Sequence, residues 1–150
     1  MASMMIAQLI MSFFGSVGFA LRFHLRKTLV LPASIGGLMG WAVYLLFHQV
    51  LLQGIFIACL IASICVALYA EILARKLKAP ATLFLIPGAV PLIPGSSLYY
   101  SMSYAVAGEW DIAKDYSIRM IEFALGIAIG ISLVLAFFVM KERVKKQMHE

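Results

Sequence analysis

The chain has 150 residues, of which 63% are hydrophobic and 13% charged, and its mean hydropathy is +0.99. A soluble domain of this length does not carry so much apolar material, so the chain reads as a single integral membrane domain, an all-α bundle of about five transmembrane helices. The net charge of +5 would suit a nucleic-acid ligand, but the basic residues stand in short groups beside apolar runs, where they act as membrane-topology charges and not as a phosphate-binding face.

Residues 4–21 are long enough to cross a hydrocarbon core that needs about 20 residues of helix. Their first positive charges, Arg22, Arg26 and Lys27, follow the apolar stretch. A signal peptide carries its charge in front, so a retained first helix is expected, with its C-terminal end in the cytoplasm. Ser12, Ser16 and Ala20 are four apart and give it a small face for close packing. A second crossing is expected over 29–47, with Gly36 and Gly40 in a G-x-x-x-G packing arrangement. A third follows over 54–74 after a turn of a few residues. There Cys59, Ser63, Ala67 and Glu71 share one small, polar face that should look into the bundle. The two cysteines have no partner at metal-ligand spacing, and buried free thiols are the expectation.

Arg75, Lys76 and Lys78 mark the cytoplasmic side again, and an interrupted segment follows over 80–107. Proline lacks an N–H and clashes with the preceding turn, so Pro87, Pro91 and Pro94 cannot all lie in one regular helix. Gly88 and Gly95 each follow a proline, as in turns. Unwound backbone at membrane depth survives only where protein buries it or it lines a cavity, so a cavity is expected here. A first helical piece over 81–86 and a second over 96–107 would rise roughly 9 and 18 Å. Together with the unwound stretch they could span the hydrocarbon, with a re-entrant hairpin as the competing arrangement. The acidic stretch GEWDIAKDYS reads as an external loop. A last crossing over 117–140 carries a second G-x-x-x-G at Gly126 and Gly130, and a basic tail, 141–150, closes the chain. Five crossings put all three basic groups on one side, with the N terminus outside and the C terminus cytoplasmic.

Two constellations could carry chemistry. A helix that starts at Pro94 to Ser97 would aim unpaired N–H groups and a positive dipole end into the membrane, a seat for a substrate carboxylate. Ser97, Tyr100, Ser101 and Tyr104 then form one hydroxyl-lined face, with Ser96, Tyr99 and Ser103 beside it. The alternative is that the prolines only kink a helix and the hydroxyls bond neighbouring helices or back-bond to carbonyls. Glu71 and Glu122 are the candidates for proton coupling, because ionisable groups within membrane helices usually pair or relay protons. Each also has an arginine about one turn away, Arg75 and Arg119, so interfacial ion pairs are the competing reading. His24 and His48 fall at membrane boundaries, Trp110 suits an interfacial anchor and Trp41 packing within the second helix. Enzyme signatures are missing, and neither catalysis, a metal nor a cofactor is expected.

The run IPGAVPLIPGSSLYYSMSY at 86–104 resembles the smaller, C-terminal module of the threonine/serine exporter (ThrE) family. A doubled proline motif followed by small residues and an aromatic pair is matched here by Ile86, Pro87, Pro94, Gly95, Ser96, Ser97, Tyr99 and Tyr100. The resemblance implies export of small hydrophilic metabolites, threonine and serine or dicarboxylates such as succinate, driven by the proton motive force. It also implies a separately encoded larger partner chain in the same cell membrane. The substrate-binding candidates are Pro87, Gly88, Pro91, Pro94, Gly95, Ser96, Ser97, Tyr99, Tyr100, Ser101 and Tyr104. A non-transporting assembly subunit and a homo-oligomeric channel or transporter remain as alternatives.

Overall fold

A computed structural model describes residues 2–51 and 54–147. Residues 52–53, in the short turn expected before Gly54, and 148–150, the end of the basic tail, lie outside the described residues. The fold is all-helical: α1 (Ala2–Arg22), α2 (Lys27–Leu45) continued by a π turn (Leu46–Val50), α3 (Ile55–Leu77), α4 (Thr82–Ala89), a 3-10 turn (Val90–Leu92), α5 (Gly95–Val106) and α6 (Trp110–Gln147). Four of these helices are long and apolar enough to cross a membrane, and α4 with α5, bent by 47°, passes the same test together, as a broken fifth span or a re-entrant loop.

Three helices end by the same device. His24, Lys78 and Gly108 adopt left-handed φ values of 54°, 50° and 82°. The next amide then reaches back five residues: Leu25 N to the Ala20 carbonyl at 3.1 Å, Ala79 N to Ala74 at 3.0 Å and Glu109 N to Tyr104 at 2.9 Å. This satisfies carbonyls that a helix end would leave unpaired. Only glycine does so without steric cost, which makes His24 and Lys78 the unusual two.

Two boundaries differ from the sequence reading. The first helical piece of the interrupted segment does not stop at Ile86. It runs through Pro87 to Ala89, because one missing N–H removes one bond to the preceding turn and a short helix absorbs it. Only Ile93 and Pro94 separate the 3-10 turn from α5. The last helix starts at Trp110, not at 117, and takes in most of the stretch expected as an external loop. No proline follows Pro94, and once Gly108 has ended α5 nothing breaks the chain again before Gln147. Asp111 in the first turn suits the positive end of the helix dipole.

The packing puts small residues inside and large ones outside, as helix association in lipid favours. On α3, Ala58, Cys59, Ala62, Ser63, Val66, Ala67, Ala70 and Ala74 are buried, while Ile57, Leu68 and Ile72 are exposed. Helix α6 packs on this small face through Gly126 and Gly130. A Cβ on Gly126 would stand 3.0 Å from the Phe56 carbonyl oxygen, and one on Gly130 would collide with the Ser63 hydroxyl and lie 2.9 Å from the Leu60 carbonyl. Ser63 Oγ donates across this seam to the Gly126 carbonyl at 3.1 Å, and Tyr69 Oη ties α3 to α2 through the Pro32 carbonyl at 2.8 Å.

The path of the bent pass follows from its neighbours. The α1–α2 and α3–α4 turns line one cavity together, and Arg75 sits 4.5 Å from the Phe138 ring near the far end of α6, so the basic groups gather at one end. Tyr104, late in α5, stacks on Tyr116 at the start of α6, 5.8 Å away. From Tyr116 to Phe138 is roughly 33 Å of helix. The segment from Thr82 to Val106 therefore traverses the bundle and does not double back. Substituting Gly130→Leu should destabilise the fold by about 1–3 kcal/mol through overpacking, read as a lower melting temperature in detergent. Gly15→Leu should leave it unchanged, since nothing lies within 4 Å of a Cβ there.

Candidate functional site

The break in the fourth pass is held by backbone contact on two sides. Gly88 lies against α2 and α3: a Cβ on it would stand 2.9 Å from Val66 Cγ1 and 3.6 Å from the Gly36 carbonyl carbon, and one on Gly40 would stand 2.5 Å from Val66 Cγ2. A Cβ on Gly36 would lie 3.2 Å from the Tyr69 ring. Pro87 and Gly88 are buried here. One turn further, Pro91 meets α1 and α2. A Cβ on Gly37 would collide with the Ser16 hydroxyl and lie 3.2 Å from Pro91 Cγ.

This second meeting point is polar in an unusual way. Ser16 is 0% exposed, and its Oγ and the Trp41 Nε1 are buried without a hydrogen-bond partner among the described residues. A buried unpaired polar group costs about 1–3 kcal/mol. Trp41 stands one helical turn from Gly37, on the same side of α2. With Gln8, Met11, Ser12 and Pro91 it lines a cavity of about 220 Å³. Both atoms are closed to solvent, and Ser16 does not line that cavity, so among the described residues they stand as an uncompensated polar cost of the close α1–α2 approach.

Helix α5 opens at the other side of the break. The Gly95 amide bonds the Ile93 carbonyl at 2.8 Å and the Leu98 amide bonds Pro94 at 3.0 Å. The Ser96 and Ser97 amides between them make no backbone hydrogen bond among the described residues. Gly95 and Ser96 are exposed, Pro94 half-buried, and no atom lies within 4 Å of a Cβ on Gly95. The positive end of the helix dipole adds to these amides.

The hydroxyl-lined face of α5 is turned into its seam with α6. Ser97 and Ser101 are buried there, and Ser101 Oγ donates to the Leu98 carbonyl at 2.9 Å. Tyr100 packs on Tyr104 and Tyr116 at 6.3 and 5.3 Å between ring centroids. Tyr99 is 67% exposed. The structure thus brings Ser97, Tyr100, Ser101 and Tyr104 together, but apart from Pro87 and Gly88, which sit on the α2–α3 side.

The two acids are not brought together. Glu71 pairs with Arg75 one turn on, at 3.5 Å, near the basic end. Glu122 is half-buried on α6, roughly 24 Å of helix before the Phe138 that Arg75 covers. Arg119 reaches the Tyr116 ring at 5.9 Å, and among the described residues it forms no ion pair with Glu122. Sequence reasoning missed the close meeting of Ser16, Gly37 and Pro91 and the buried, unpaired Trp41 Nε1. The one available signal was the doubled glycine at 36–37, more than a G-x-x-x-G contact needs.

A family model described as Threonine/Serine exporter, ThrE, matches residues 8–137. No curated protein and no solved structure matches the chain. The matched region takes in all five passes, from the first turns of α1 to the far part of α6, with the break between α4 and α5 inside it. On that match the chain belongs to the threonine/serine exporter (ThrE) family of membrane transporters.

Proposed function

We propose that the chain is a membrane subunit of a secondary transporter that exports small hydrophilic metabolites, threonine and serine or a small dicarboxylate, driven by the proton motive force together with a larger partner subunit. The observation that carries the reading is the broken fourth pass. Its half-helix α5 opens inside the chain with the Ser96 and Ser97 amides unbonded to backbone, the arrangement by which discontinuous helices receive a substrate carboxylate. Pro87, Gly88, Pro91 and Pro94 place that end; Gly95, Ser96 and Ser97 meet the carboxylate; Tyr99, Tyr100, Ser101 and Tyr104 bond its other polar groups once α5 moves relative to α6. Glu71 and Glu122 are the groups available for proton coupling, Glu71 with its charge already balanced by Arg75.

One observation favours a second reading, a non-transporting assembly subunit: the α5 hydroxyls face α6 in the structure, where they serve packing. On that reading Ser97→Ala and Tyr100→Phe leave export intact, and changes at Gly126 or Gly130 weaken assembly.

Efflux of labelled threonine, serine and succinate is the direct test, in cells without related exporters. With both subunits present, efflux is expected and should collapse when the proton gradient is dissipated; efflux by this chain alone would favour a homo-oligomer, and none in either case would sink the transport reading. Gly95→Leu should abolish export at unchanged membrane abundance, because the open space around Gly95 lets the variant fold; normal export would remove the α5 end from the mechanism. A C-terminal reporter fusion checks orientation: a fluorescent protein active only in the cytoplasm should light up, and an alkaline phosphatase fused there should stay inactive.

A further inference from the structure

At the basic end, the α1–α2 and α3–α4 turns line an open-mouthed cavity of about 520 Å³, within the range of small-molecule sites. Its charged lining is of one sign. Arg26 enters from one turn and Lys78 from the other, with the His24 imidazole and Thr28 hydroxyl as further polar groups, and among the described residues no acidic one lines it. Among the described residues neither Arg26 nor Lys78 forms an ion pair, whereas the nearby Arg75 is matched by Glu71. Leu29 and Leu83 supply an apolar wall. Topology alone asks only that cations lie on this side. It does not ask that two cations from turns distant in sequence face one hollow, with leucines beside them and no counter-charge.

We propose that this cavity is an oxyanion-binding vestibule, which takes the carboxylate of a small aliphatic solute at Arg26 and Lys78 before the solute reaches the break. Guanidinium and ammonium groups bind carboxylate or phosphate by charge-assisted hydrogen bonds. The leucine wall fits a short carbon chain, which favours a solute carboxylate over inorganic phosphate. The headgroup phosphate of an anionic lipid offers the same chemistry from the bilayer. The role as intake rests on the export reading above; the binding site does not.

The test is equilibrium binding of labelled succinate, threonine, serine and inorganic phosphate to the full chain in phosphatidylcholine nanodiscs, repeated with phosphatidylglycerol added. Saturable, salt-sensitive binding of at least one carboxylate is expected. It should weaken about tenfold or more in the Arg26→Gln/Lys78→Gln double variant, recover in the charge-keeping Arg26→Lys/Lys78→Arg pair, and be untouched by Lys114→Gln near the start of α6, at the opposite end of the bundle. Binding unchanged in the glutamine variant, equal loss in Lys114→Gln, or no binding of any probe would overturn the site. Binding confined to phosphatidylglycerol, and dependent on the same two residues, would assign the oxyanion to lipid and overturn the intake role. A chain that binds carboxylate at this site yet supports no efflux would sink the export reading and leave the vestibule standing.

Discussion

The backbones of α2 and α4 come together where side chains are missing, with Val66 of α3 wedged beside them, and the remaining architecture depends on that approach. Gly36 and Gly40 on α2, Gly88 on α4 and the branched Val66 of α3 fit at separations that a single added carbon would violate. In lipid there is little hydrophobic drive between helices, so close van der Waals packing has to hold them. Here it also fixes the first half of the broken pass. With Gly88 pinned, Pro87 sits inside a helix instead of ending it, and the irregular backbone is confined to Ile93 and Pro94.

The consequence is a break with one fixed and one freer side. α4 is set among α2 and α3, while α5 packs principally on α6. Among the described residues Ser16 Oγ and Trp41 Nε1 are buried without a partner on the α1–α2 side, and the Ser96 and Ser97 amides at the start of α5 carry no backbone bond. A helix interior elsewhere in the bundle satisfies its own backbone, and serines there bond carbonyls within reach, as Ser12, Ser34 and Ser63 do.

Much of this was legible in the sequence, because the signals were local. Apolar run lengths set the five passes, the four-residue spacing of Cys59, Ser63 and Ala67 revealed the inward face of α3, and three prolines located the break. What was hidden is non-local. Tyr116 looked like loop, since it lies in a charged stretch, and without it in α6 the stacking that turns Tyr100 and Tyr104 into the α5–α6 seam has no partner. Ser16, Gly37 and Pro91 belong to three elements, and no periodicity within one of them signals the meeting. Arg26 and Lys78 satisfy the charge rule for membrane orientation so well that their shared cavity leaves no separate trace in the sequence.

The length of α6 has a mechanical side. Its 38 residues extend roughly 57 Å, nearly twice the hydrocarbon thickness. Asp111, Lys114 and Asp115 stand at one end and Lys141 and Arg143 at the other. Asp115 and Lys141 are roughly 39 Å of helix apart, so sliding the rod about two turns in either direction would carry charge into lipid, at a cost that reaches about 2.5–3.5 kcal/mol per group at the bilayer centre. It can tilt or turn about its axis, but it is bolted against axial travel. It therefore serves as a fixed post, and any rearrangement at the break has to be made by elements moving against it.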